Sequence, residues 1–106
     1  MSKEIYLLID DVRGVDHVGE VDLIARTASE GRKALLACPV THLYLDNDLG
    51  DKQDMEGYDI LMWAIERGCV PANVCIVSAN PVAKKRIEEA LFHDMGYRFH
   101  SHGWWS

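Results

Sequence analysis

Apolar residues fall along this chain in short bursts, and the spacing within each burst predicts an element. Residues 4–9, EIYLLI, are almost continuously apolar and run into Asp10-Asp11. A run of that length suits a strand covered on both faces, as in a parallel sheet. Residues 12–20 carry two glycines among alternating polar positions and read as a loop. VDLIAR, 21–26, is a candidate second strand. Thr27 caps a helix through SEGRKALLAC, with Glu30 three residues on as its capping-box partner and Pro39 as its stop. HLYLD, 42–46, is a third strand that again ends in a carboxylate. Residues 47–57, with Gly50 and Gly57, form a polar loop. Ile60, Leu61, Ala64 and Ile65 share one helical face, which predicts a helix over 58–67 stopped by Gly68. VCIVS, 74–78, is the fourth strand. Asn80 is an N-cap and Pro81 fits the first helical position. The helix that follows sets Val82, Ile87, Leu91 and Met95 along one side and ends at Gly96. YRFHSH, 97–102, is expected to be a fifth strand. The remaining GWWS either packs on the body or forms a contact surface.

Strands that alternate with helices imply a parallel sheet with helices on both faces. The length, 106 residues, fits one domain spanning 1–106. In open sheets of this kind ligands bind outside the carboxyl ends of the strands. The chemistry is therefore expected at 10–13, 46–50 and 78–81, and at 100–102 if the fifth strand holds.

Composition narrows the function classes. The net charge of −6 argues against binding along duplex DNA, which takes a basic patch, but permits a small phosphorylated ligand or an RNA end held by a few local cations. No apolar run approaches the roughly 20 residues of a membrane span. MSKEIYLLIDD reaches its acidic pair too early for a signal peptide, so the expectation is a cytoplasmic protein without membrane contact. Cys38, Cys69 and Cys75 are odd in number and lack C-x-x-C spacing, against a disulfide framework or zinc site. Cys75, within an apolar run, reads as a small buried hydrophobe.

Asp10 and Asp11 follow strand one, and Asp46 and Asp48 follow strand three. Carboxylates brought so close repel, and burying them unpaired is costly. A hard cation relieves that conflict; an incomplete oxygen ligand set suits Mg²⁺ (or Mn²⁺), which keeps waters and takes phosphate oxygens. The alternative is that these aspartates cap loops or helices. The hydroxyl of Ser78 and the amide of Asn80 stand before a helix N-terminus, where backbone N–H groups and the dipole favour an anion. Asn80 also satisfies that position as a plain N-cap. Arg13 and Arg26 either clamp a phosphate in bidentate fashion or, respectively, neutralise the aspartates and end a strand in solvent. Lys84, Lys85 and Arg86 read mainly as a solvated face. His100 and His102 would share a face on a strand, within reach of the site, or belong to a surface tail. His17 and His42 carry no spacing signal.

These residues resemble a receiver domain. Asp10-Asp11 is similar to its acidic metal-binding pair, Asp46 to its phospho-accepting aspartate, Gly57 to its loop glycine and Ser78 to its switch hydroxyl. The segment between strands one and two is too short for an ordinary first helix. The lysine-proline pair after strand five is missing, and LDNDLG is not an ordinary receiver loop. IDDVR, ARTASEG, LDNDLG, EGYDILMWAIE and VSANPVAKKRI, in that order, are similar to the cyclic-phosphate processing receiver domain family. The resemblance implies a three-layer α/β/α, receiver-like (flavodoxin-like) domain of about five parallel strands, its first helix shortened or missing. It implies a metal and acid cluster of Asp10, Asp11, Asp46 and Asp48, with Arg13, Arg26, Ser78 and Asn80 toward the phosphate. Catalysis would rest on Asp46, Ser78, Asn80 and Arg13, in a metal-dependent action on a cyclic phosphate or cyclic nucleotide. Family members commonly carry a histidine just before the serine, where this chain has Val77. The rival expectations are a signalling receiver phosphorylated on Asp46, and a binding module without turnover.

Overall fold

The computed structural model describes residues 3–11, 18–49 and 55–106. Its strands are β1 (Tyr6–Ile9), β2 (Leu23–Ala25), β3 (His42–Leu45), β4 (Asn73–Ile76) and β5 (Trp104–Trp105). The described α-helices are α1 (Ala28–Ala37), α2 (Gly57–Arg67) and α3 (Pro81–His93), and a 3-10 turn (Ser101–Gly103) precedes β5. One sheet runs β2-β1-β3-β4-β5. The first four strands in that order are mutually parallel, and β5 is antiparallel to β4. This is the flavodoxin-like order, whose switch point lies between β1 and β3.

Local signals set the helix ends. The Thr27 hydroxyl accepts the Glu30 N–H at 3.1 Å, opening α1 as the capping box requires. Gly68, at φ 66°, closes α2 in the left-handed conformation that suits glycine. The Asn80 side-chain oxygen accepts the N–H groups of Val82 and Ala83 and starts α3. That helix stops at His93, short of Met95, and turns Ala83, Ile87, Ala90 and Leu91 inward. Val82 is 70 % exposed and Met95 lies past the helix end, so Ile87 and Leu91 of the expected stripe face the core, joined by Ala83 and Ala90.

Strand register divides the sheet into two faces. Leu7 and Ile9 pair with Leu43 and Leu45, which pair with Val74 and Ile76. Side chains alternate along strands, so these residues share one face. There they form the core with Ile60, Leu61, Ala64, Ile87 and Leu91. The connections β2–α1–β3 and β3–α2–β4 advance in the same direction, so right-handed crossovers bring α1 and α2 to that same face. Residues of α3 join the same core. The other face carries the fully buried Leu8 and a cluster of rings. Tyr6 stacks on His42 at 4.2 Å, and Trp104 lies 5.0 Å from Tyr44 and 5.1 Å from His42. Burial raises the pKa of Tyr44, and burial with the Glu4 hydrogen bond raises that of Tyr6, so both phenols stay protonated. The loop expected over 12–20, where the first helix would be shortened or missing, lies at 12–17 outside the described residues.

The C-terminal expectation needs correction. Residues 97–102 are not the fifth strand; Trp104–Trp105 is, and it runs antiparallel. Arg98 and Ser106 exchange backbone hydrogen bonds of 3.0 and 3.1 Å, and the His100 N–H donates to the Trp104 carbonyl at 2.7 Å. Residues 98–100 are thus the outer arm of a hairpin whose inner arm docks on β4. Burial decides which arm docks: Trp105 joins the core, whereas Arg98, Phe99 and His100 stay exposed. No helix of the described residues is long and apolar enough to cross a membrane.

Trp105→Ala removes this anchor. It is expected to cost about 3–5 kcal/mol in urea unfolding. A loss below about 1 kcal/mol would show that the hairpin is not part of the cooperative sheet.

Candidate functional site

The site begins with two hydrogen bonds that extend the strand ladders. The Asp10 N–H donates to the Ala25 carbonyl at 3.1 Å, and the Asp46 N–H donates to the Ile9 carbonyl at 3.0 Å. Each aspartate is the first residue past its strand, and Ile9 is in register with Leu45. The two side chains therefore emerge at the same level of neighbouring strands, at the β1/β3 switch point. Asp10 is 0 % exposed and Asp46 4 %, while Asp11 is half-buried. One oxygen from each of these three carboxylates lies within 4.8 Å of the others.

That donor set fits a hard divalent cation. Mg²⁺ bonds oxygen at about 2.1 Å, so opposite ligands lie about 4.2 Å apart, a small inward movement from the observed spacing. Three carboxylates leave coordination positions for water or phosphate oxygen.

Asp48 does not join them. It is exposed, and its carboxylate accepts the Asn47 side-chain amide at 3.4 Å. Arg26 reaches the edge, its guanidinium donating to the Asp10 backbone carbonyl at 3.2 Å. Arg13 lies outside the described residues. Ser78 and Asn80 stand together past the end of β4. The Ser78 hydroxyl accepts the Asn80 N–H at 3.1 Å, a bond that leaves its own proton to donate elsewhere. The Asn80 side-chain oxygen is committed to capping α3. Val77 continues the β4 ladder, its N–H donating to the Leu45 carbonyl at 3.0 Å. Alternation places Val77 on the face of Cys75 and Tyr44, which is also the face of Asp46.

Asn47 is the residue that sequence reasoning passed over. It is 3 % exposed and ties the loop after β3 to the start of α2. Its backbone carbonyl accepts the Gly57 N–H at 2.9 Å, and its side-chain oxygen accepts the Tyr58 N–H at 3.1 Å. Its amide also donates to Glu56 at 3.4 Å. A polar residue directly after a strand-terminal aspartate was the available signal. Gly57 is needed for the same closure: a Cβ there would fall on the Asp46 carbonyl oxygen and 2.8 Å from the Asn47 Cα. Leu49, buried in the core, pins the loop just past the site.

Fold and edge together define a receiver-type domain. The chain belongs to the cyclic-phosphate processing receiver domain family, whose model matches residues 5–93. Two solved structures of the MaeR response regulator are similar in fold. The one bound to beryllium trifluoride has a TM-score of 0.56 and 17 % identity, covering 88 % of this chain and 77 % of that one. A point mutant of MaeR bound to sulfate has a TM-score of 0.55 and 18 % identity, covering 90 % of this chain and 79 % of that one. No curated protein matches the chain significantly.

Gly57→Ala is expected to force the β3–α2 loop away from Asp46, lowering stability by about 1–3 kcal/mol. Thermal melts of the purified variant measure the loss. An unchanged melting temperature would mean that the approach of α2 to Asp46 is not a constraint.

Proposed function

We propose that this domain uses a divalent metal, Mg²⁺ or Mn²⁺, to hydrolyse a cyclic phosphate, on a cyclic nucleotide or at an RNA end. The observation that carries this reading is the meeting of Asp10, Asp11 and Asp46 at one point of the carboxyl edge. Family membership supports the substrate class. Asp10, Asp11 and Asp46 would hold the metal, which when bound supplies positive charge to phosphate oxygens. The Ser78 hydroxyl proton and the Asn80 side-chain amide face charge that develops on the phosphoryl group. Arg26 adds a cation on the opposite flank of Asp10. Asp46 orients a water against phosphorus and takes up its proton. Arg13 belongs to the same reading as a phosphate ligand, and Asp48 as an outer acidic group.

A second reading is a signalling receiver in which Asp46 accepts a phosphoryl group and Ser78 senses it. The likeness of fold to a response regulator bound to beryllium trifluoride favours it. Acetyl phosphate with Mg²⁺ would then label the chain at Asp46.

Two measurements test the main reading. Mg²⁺ at 100 times its dissociation constant is expected to stabilise the protein by about 2.7 kcal/mol, and Asp46→Asn to abolish that gain. Metal-dependent opening of 2′,3′-cyclic nucleotides is expected to stop on chelation and in folded Asp46→Asn. Continued turnover by that variant would refute the assignment of Asp46.

A further inference from the structure

A ligand whose phosphate sits at the acidic edge rests its remaining part on what lies beside that edge. The sheet offers one such surface. Side chains alternate along strands, so Tyr44 shares the face of Asp46, and Cys75 shares that of Val77. Tyr44 pairs with Cys75, and Cys75 with Trp104. These three form a row across β3, β4 and β5, on the face opposite the helix-covered core. The row lies two residues before Asp46, about 7 Å along the strand. The Tyr44 and Trp104 rings lean together across β4, with their centres 5.0 Å apart. Val77, two residues past Cys75 and still hydrogen-bonded to β3, stands between the row and the edge. His42 and Tyr6, stacked at 4.2 Å, prolong the ring surface one row further from the site.

This wall is open to solvent and uncharged. Cys75, Val77 and Trp104 are half-buried even though all are apolar, and Tyr44 is 7 % exposed. None of the four belongs to the main core, which fills the other face. Burial, Cys75 and the Glu20 carboxylate hold the Tyr44 phenol protonated, and burial raises the Cys75 thiol. Such a surface suits a flat, neutral aromatic group better than a second phosphate. Rings on a sheet face hold nucleobases by stacking, because every base presents a π-face. In a nucleotide the ribose separates base from phosphate by about the interval between Asp46 and the Tyr44 row.

We infer that Tyr44, Cys75, Val77 and Trp104 form a base subsite, with the nucleobase lying against the Trp104 ring. The inference rests on the hydrolase reading above and narrows its substrate from any cyclic phosphate to that of a nucleoside.

Indole fluorescence tests this without requiring turnover. With Mg²⁺ present, adenosine 2′,3′-cyclic phosphate is expected to quench the emission of the protein. Glycerol 1,2-cyclic phosphate, which lacks a base, is not. Trp104→Leu keeps an apolar side chain on β5, and its melting temperature shows whether the hairpin is retained. In this variant the quenching is expected to vanish, although Trp63 and Trp105 remain. KM for the adenosine compound is expected to rise about 10-fold with kcat unchanged, and that for the glycerol compound less than about twofold. Turnover of both compounds by the wild type with equal KM and no quenching overturns the base subsite while the hydrolase reading stands, and needs no variant. Quenching that survives in folded Trp104→Leu overturns it as well. Quenching that this variant loses, without turnover of either compound by the wild type, upholds the subsite and refutes hydrolysis. Neither quenching nor turnover overturns both.

Discussion

Two carboxylates held out of water at adjacent strand ends are the constraint around which this domain is organised. The backbones of Asp10 and Asp46 are fixed by hydrogen bonds that extend the strand ladders, so the two side chains start from neighbouring positions at one edge. Burying two carboxylates side by side is costly unless each finds a partner. The register of β1 with β3 is strongly specified by the core on one face, and it imposes the crowding on the other. Gly57 and Asn47 then close the loop over the pair. Stability and the candidate site thus draw on the same few residues, and the packing that closes the core also brings the three carboxylates together.

The central elements were legible because their signals are local. β1, β3 and β4 are short apolar runs, and α1 and α3 have their caps written beside them at Thr27 and Asn80. That Asp10, Asp11, Asp46 and Asp48 lie at one edge was legible, since a parallel sheet presents the residues after its strands together; that β1 and β3 are neighbours, which brings the first three within reach of one another, was not. Asp48 was harder to place. Its distance from Asp46 along the chain is two residues, but Asn47 turns inward and the chain bends, so the period of a strand no longer applies. Asn47 itself was missed for the same reason: its bonds are to Gly57 and Tyr58, which only the folded loop brings near.

The C-terminal region misled because two patterns competed. YRFHSH alternates and resembles a strand, while Trp104 and Trp105 looked like an appendage. The tryptophans carry far more apolar surface, and they are the segment that docks on the outer edge of β4. Reversing the last strand also changes what arrives at the carboxyl edge. A parallel fifth strand would have brought its end there; an antiparallel one brings a turn.

That reversal has a further bearing on the far side of β4. Val74 is fully buried, and the outward N–H and C=O groups of its strand are covered by two residues alone. A bare edge of this kind recruits strands from other molecules. The hairpin replaces it with an arm that is short, bent at a glycine and faced with Arg98 and His100. The C-terminal hairpin thus puts a short arm with charged and polar side chains where β4 would otherwise end the sheet.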